Sequence, residues 1–194
     1  MKAVVYHGPF DMRVDNKPMP EIKERDDIIV KVTTTAICGS DLHFYHGAVP
    51  GMKPGQTIGH EFMGVVKETG PDVQEIRKGD RVVMPFNISC GRCWYCNRGL
   101  WSQCDRSNPN SQQGASYGYG QVAGGYDGGQ AEYVRVRYAN TDPLKIPEGI
   151  SDDDAIFLSD ILPTGYFATE LADVRPGDDV AVFGAGPVGY FSVM

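Results

Sequence analysis

Ser89 to Cys104 reads SCGRCWYCNRGLWSQC and holds four of the five cysteines of the chain. Cys90, Cys93, Cys96 and Cys104 are separated by two, two and seven residues. At that spacing four soft thiolates converge tetrahedrally on one ion within a single compact loop, a closed zinc site. Protein fills all four positions of such a shell, so no position remains for water or substrate, and the expected role is structural. An iron–sulfur cluster and a pair of disulfides use the same residues. The charged loop composition favours a zinc staple over the cluster, and disulfides would require an oxidising compartment.

Chemistry is expected at the fifth cysteine. Cys38 stands in AICGSDLH, directly after a β-branched run and followed by Ser40, Asp41 and His43. A lone cysteine is ordinarily a small buried hydrophobe. Here Gly59, His60 and Glu61 follow a proline- and glycine-rich segment and precede another apolar run, so a thiolate and an imidazole can be presented together. Cysteine plus histidine with an incomplete shell is the pattern of a catalytic zinc. Ser40 and His43 add a hydroxyl and an imidazole, the parts needed to pass a proton from an alcohol to solvent, with ordinary loop hydrogen bonding as the plain alternative.

The elements that must hold these residues are mostly β. Short runs at Ala3 to Tyr6, Ile28 to Ile37, Phe62 to Gly70, Arg81 to Phe86 and Glu132 to Tyr138 are broken by Gly, Pro, Asn and Asp, which predicts a folded-over or barrel-like β domain. Asp105 to Gly129 reads as a long ordered loop with little regular structure. After Pro147 the texture changes. Ser151 followed by three aspartates is a helix start, and Asp160 to Ala172 continues with helical spacing interrupted at Pro163. Val180 to Phe183 reads as a buried strand, and GAGPVG, Gly184 to Gly189, as a dinucleotide-binding turn opening a helix. The acidic residue that binds the ribose in that motif falls ~20 positions later, past Met194.

Bulk composition agrees with an ordinary folded protein: 194 residues, 41% hydrophobic and 22% charged. Eighteen Lys and Arg face 25 Asp and Glu, a net charge of -7 with the cations scattered, which argues against nucleic acid as a partner. No export signal is visible at the N-terminus, and Val180 to Met194 is too short and too interrupted to span a bilayer, which takes ~20 residues. Reduced thiols and a cytoplasmic location are the expectation.

Taken together, GSDLH after Cys38, GHE at 59 to 61, the four-cysteine loop and GAGPVG resemble the zinc-dependent medium-chain alcohol dehydrogenases over essentially the whole chain. SDILPTGYFA, Ser159 to Ala168, is most similar to the branch that includes the glutathione-independent formaldehyde dehydrogenases. The resemblance implies a mostly β architecture. Residues 1–150 would form a GroES-like β-barrel catalytic domain, with the structural zinc loop at about 89–105, and residues 151–194 connecting helices and the start of a Rossmann domain. It also implies two zinc ions per chain. The catalytic one would be held by Cys38, His60 and Asp160, with Glu61 the competitor of Asp160, as in polyol-dehydrogenase relatives. Ser40 and His43 would form the proton relay, supported by Asp41, with Thr164 near the nicotinamide and Gly184, Gly186, Pro187, Val188 and Gly189 on the cofactor.

The implied reaction is hydride transfer from a small alcohol or aldehyde hydrate to NAD, with NADP a further option. Zinc binds the substrate oxygen and lowers its pKa while the relay removes the proton. Polyol or threonine dehydrogenase activity is the variant within the class. In the family plan five further parallel strands follow GAGPVG, so the 194 residues alone are expected to be truncated and inactive as an isolated chain. The alternative is a catalytically silent, zinc-stabilised β module that packs against a partner. A homo-oligomer is expected, with no nucleic acid and no membrane.

Overall fold

A computed structural model describes residues 1–111 and 114–194. Ten strands dominate its first three quarters: β1 (Lys2–Gly8), β2 (Asp11–Asn16), β3 (Ile28–Thr35), β4 (Gln56–Thr57), β5 (Phe62–Thr69), β6 (Arg81–Met84), β7 (Asn87–Ile88), β8 (Ala115–Ser116), β9 (Tyr133–Val136) and β10 (Leu144–Lys145). They form a five-stranded sheet in the order β10-β6-β5-β3-β9, a three-stranded sheet β2-β1-β4 and a small β7-β8 ribbon. An isolated bridge between Ala3 and Ala131, with the Val4 amide donating to Gln130, joins the two larger sheets.

The β-branched runs explain the centre of the larger sheet. Ile28, Val30, Phe62, Val66, Val82, Met84, Val134 and Val136 project inward and share one buried core. Alternate positions from Lys31 onward turn outward, as the two-residue period of a strand requires. All four cysteines of the 90–104 loop belong to that same core. Its cysteines thus face the main core, while Arg92, Trp94 and residues 97–103 are exposed, so the loop is a surface lobe anchored from within. A smaller core forms on the other side of β5 and β6, where Met63 and Val83 meet Ile146, Ala155 and Ile156.

Pairing of β3 with β5 is antiparallel and carries register shifts between Ile29 and Val30 and between Val32 and Thr34. Gly64 lies opposite Val32, and a Cβ there would stand 2.1 Å from the carbonyl oxygen of Lys31. Only glycine lets the two backbones approach this closely.

Among the described residues there are also four α-helices, α1 (Gly39–Tyr45), α2 (Asp152–Ala155), α3 (Ile161–Leu171) and α4 (Pro187–Val193). α2 starts as its sequence indicates, with the Asp154 amide donating to the Ser151 hydroxyl at the N-cap. Three expectations are corrected. GSDLHFY is helical, so Ser40, Asp41 and His43 sit on a helix and not on a loop. Pro163 does not interrupt α3, because it lies in the first turn, where an amide hydrogen has no intrahelical partner to lose. Val180 to Phe183 forms no strand and is not buried, with Phe183 97% exposed. A strand needs a neighbour for its amides, and no strand among the described residues lies beside this one. The 105–129 stretch is irregular apart from β8 and a short 3-10 turn at Gln121–Ala123, with Gln112 and Gln113 outside the described residues. No helix among the described residues is long and apolar enough to cross a membrane.

Gly64→Ala is expected to lower stability by about 1–3 kcal/mol in urea unfolding, because the added carbon collides with backbone that cannot rotate away. Gly39→Ala, whose Cβ meets nothing within 4 Å, is expected to stay within about 0.5 kcal/mol of the parent.

Candidate metal centres

The ends of β3 and β5 bring the first set of donors together. The Thr35 hydroxyl and the Ala36 amide both donate to the Glu61 carbonyl, at 2.7 and 3.2 Å, so the chain leaving β3 runs beside the chain entering β5. Cys38 follows as the N-cap of α1, with His60 and Glu61 opposite. Asp41, in the first turn of α1, accepts the Cys38 amide through Oδ2 at 2.9 Å and the Gln130 side-chain amide at 3.0 Å. The 3-10 segment Ile156–Ser159, docked through Ile156 on the smaller core, delivers Asp160 from the far end of the sequence.

One donor atom from each of Cys38, His60, Glu61 and Asp160 lies within 4.8 Å of the others. His60 Nε2 is 3.2 Å from Asp160 Oδ2, 3.8 Å from Glu61 Oε1 and 3.4 Å from Ser40 Oγ. Its other nitrogen, Nδ1, faces Asp41 Oδ1 at 3.9 Å, and both of those buried atoms lack a hydrogen-bond partner. A histidine that turns Nε2 toward a cluster and Nδ1 toward a carboxylate has the orientation of a metal ligand backed by a second carboxylate.

Electrostatics point the same way. Burial disfavours charge on His60, but Asp160 and Cys38 beside it prevail and raise its pKa to about 10. The charged neighbours of His60 thus favour positive charge in the pocket. Asp160, despite burial, is held below its ordinary pKa by His60 and Thr164, whereas burial and the neighbouring Asp160 raise that of Glu61. Burial also raises Asp41, against the pull of the Cys38 amide.

Of the other sequence candidates, Thr164 donates its hydroxyl to Asp160 Oδ1 at 2.7 Å, leaving Oδ2 toward His60. Its structural role is to orient a donor. His43 is exposed, and among the described residues its ring makes no hydrogen bond or ion pair, so the structure does not join it to Ser40. Gly184 has φ +102°, and a Cβ on Gly189 would stand 2.0 Å from the Gly184 carbonyl. Gly186 is the N-cap and Pro187 the first residue of α4, followed by Val188, so the glycine turn does open a helix, which packs on α3 across Gly165.

Residues that spacing did not reveal complete the pocket. The rings of Tyr119 and Phe86 stand edge-on to His60, with centroids at 5.3 and 6.2 Å. No motif marks either of them, since each reaches the site through a turn rather than through a periodic element.

The second set is the four-cysteine lobe. All four thiols are free and buried, with donor atoms within 4.8 Å of one another. The Cys90 amide donates to Cys104 Sγ at 3.3 Å and the Cys96 amide to Cys93 Sγ at 3.4 Å. Backbone amides aimed at sulfur favour thiolates. Burial raises Cys104, but the amides of Cys90 and Arg106 outweigh it and bring its pKa down to about 7. Cys96 is pushed up to about 12 by burial and by the adjacent Cys93. Asp142 anchors the lobe, accepting the Ser89 amide at 2.8 Å together with the Ser89 hydroxyl.

Four close thiols cannot all ionise without a cation between them, so a metal must displace protons as it binds. Apparent affinity for Co2+ at this lobe is therefore expected to rise at least about a hundredfold from pH 6 to pH 8. The thiolate charge-transfer band of a Cys38→Ser chain reads it, and a pH-independent affinity would contradict the four-thiolate shell.

Residues 24–148 match the family described as the alcohol dehydrogenase GroES-like domain. The chain is 50% identical over 194 residues to a zinc-type alcohol dehydrogenase-like protein, AdhB, of Bacillus subtilis, covering 99% of this chain and 51% of that one. It is 42% identical over 199 residues to formaldehyde dismutase of Pseudomonas putida, covering 97% of this chain and 49% of that one. The structure of alcohol dehydrogenase TADH from Thermus sp. ATN1 superposes with a TM-score of 0.93 at 42% identity, over 100% of this chain and 54% of that one. The chain thus spans about half the length of the relatives it matches.

Proposed function

Since the chain belongs to the alcohol dehydrogenase GroES-like family, we propose that it supplies the substrate-activating metal centre of a zinc-dependent oxidoreductase. The reaction is hydride transfer between a small alcohol or aldehyde hydrate and a nicotinamide cofactor. The observation that carries this reading is the convergence of Cys38, His60, Glu61 and Asp160, drawn from three separated segments, within 4.8 Å. One thiolate, one imidazole and a carboxylate leave a fourth position open, the donor set of a catalytic rather than a structural zinc. Zinc held there acts as a Lewis acid that makes a hydroxyl easier to deprotonate and polarises a carbonyl.

The chain's own residues do the rest. Asp160 is the third donor and Glu61 the reserve, because Asp160 lies closer to His60 and is the more readily ionised of the two. Asp41 fixes the Cys38 backbone and backs His60, and Thr164 fixes Asp160. Ser40, beside His60, is placed to receive a proton from a substrate hydroxyl. Phe86 and Tyr119 pack their rings perpendicular to that of His60 and crowd the site, which suits a small substrate. The similarity to formaldehyde dismutase supports one-carbon aldehyde hydrates within that class. In the lobe, Cys90, Cys93, Cys96 and Cys104 hold a second zinc with a structural role. The Gly184–Gly189 turn is the approach to the pyrophosphate of NAD, with NADP a further option. A homo-oligomer is part of the same reading.

Alkylation mapped by mass spectrometry tests the centre without requiring turnover. Zinc is expected to slow modification of Cys38 by iodoacetamide at least about tenfold, since a coordinated thiolate is no longer a free nucleophile. Asp160→Ala is expected to remove that protection while the four lobe cysteines stay protected. With NAD present, any alcohol or formaldehyde oxidation, followed by absorbance of the reduced cofactor, must vanish in Cys38→Ser. Equal labelling of Cys38 with and without zinc, or turnover that survives Cys38→Ser, overturns the reading.

A further inference from the structure

We propose that Gln130 is a positioning residue for the metal centre: its side-chain amide and its backbone together fasten the segment that carries Cys38 to the segment that carries His60, and so hold the two ligands at the spacing an ion requires. The inference rests on the metal-centre reading above and adds to it a residue that is not itself a donor.

The backbone of Gln130 is locked to the His60 segment. Its amide donates to the Ile58 carbonyl at 3.0 Å, the Gly128 amide to Thr57 at 3.0 Å and the Gly129 amide to Gly59 at 2.7 Å, so residues 128–130 lie along the stretch that leads into His60. The contact is close enough to require glycine on both sides. A Cβ on Gly128 would stand 2.3 Å from the Gly59 carbonyl oxygen, and a Cβ on Gly59, whose φ is +95°, would stand 2.4 Å from Gln130 Cγ.

The side chain reaches the other segment. Gln130 is buried, and its Nε2 donates to the Ala36 carbonyl at 3.3 Å and to Asp41 Oδ2 at 3.0 Å. A primary amide nitrogen carries two hydrogens, so it can serve both acceptors. They flank Cys38 in sequence, and Asp41 Oδ2 also takes the Cys38 amide at 2.9 Å. With two donors on Oδ2, the Asp41 carboxylate is left to turn Oδ1 toward His60 Nδ1, at 3.9 Å. The ladder between β3 and β5 ends at Thr35 and Phe62, before either ligand is reached, and Gln130 carries the tie on to Cys38 and Gly59.

Metal titration separates positioning from a contribution to stability alone. The Co2+ bands that disappear in Cys38→Ser report the Cys38 centre, and the bands that remain report the four-cysteine lobe. Gln130→Met keeps the length of the side chain and removes both hydrogens. It is expected to weaken Co2+ at the Cys38 centre at least about tenfold and to leave the lobe unchanged. A folded Gln130→Met chain with the parent's affinity at the Cys38 centre overturns the inference, and so does an equal loss at both centres, the mark of a general loosening. Exchange of the Gln130 side-chain amide hydrogens, followed by NMR in the parent chain, needs no variant at this position. Coupling is reciprocal, so zinc at the Cys38 centre is expected to slow that exchange about tenfold, and zinc added to Cys38→Ser, where it fills only the lobe, to leave it unchanged. Exchange that zinc does not slow in the parent, or slows equally in Cys38→Ser, overturns the inference even where Gln130→Met does not fold. Absence of Cys38-dependent bands in the parent chain would instead bring down the metal centre itself, and the inference with it.

Discussion

The antiparallel pairing of β3 with β5 is the constraint on which the site depends. Its last rungs place Thr35 opposite Phe62, and the two bonds to the Glu61 carbonyl extend the pairing one residue further. Cys38 and His60 are 22 positions apart in the chain, yet the ends of two hydrogen-bonded strands leave them no choice but to be neighbours. The close approach at Gly64 fits this register, and a one-residue slip would turn the side chains of β5 to the other face and carry His60 and Glu61, which precede it, out of line with Cys38. Asp160 depends on the same strands from behind, because Met63 and Val83 form the surface on which Ile156 packs.

What the scaffold then brings together is unfavourable by itself. A thiol, two carboxylates and an imidazole share a partly buried pocket, beside which His60 Nδ1 and Asp41 Oδ1, both buried, find no partner. The imidazole responds by holding a proton up to about pH 10. The lobe shows the same tension in another form, with one thiol near pKa 7 and its neighbour near 12. Both sites are built for a positive charge, and differ in what remains after it arrives. On the proposed reading, four thiolates would close the shell of the lobe, whereas Cys38, His60 and Asp160 would leave one position free.

Much of this was legible in residues read one after another. The cysteine spacing marked the lobe because its donors are local in sequence, and the β-branched runs marked the central strands because burial on one face enforces their composition. Asp160 could not be located by spacing, since it joins the site across a hundred residues, and only family resemblance suggested it. α1 escaped because seven residues of GSDLHFY bury only Asp41 and Phe44, too little apolar periodicity to read as a helix. The run at Val180 to Phe183 has strand composition without strand pairing. Composition describes what a segment would bury, whereas pairing requires a neighbour that composition cannot supply. Tyr119 left no signal at all, because a turn between two glycines carries no period.

The most direct measurement of the central claim is anomalous diffraction at the zinc absorption edge from crystals of the chain. The account predicts two peaks, one enclosed by Cys90, Cys93, Cys96 and Cys104 and one bounded by Cys38, His60 and Asp160 with an open side toward Ser40. A single peak in the lobe, with the Cys38 cluster empty at saturating zinc, would contradict it.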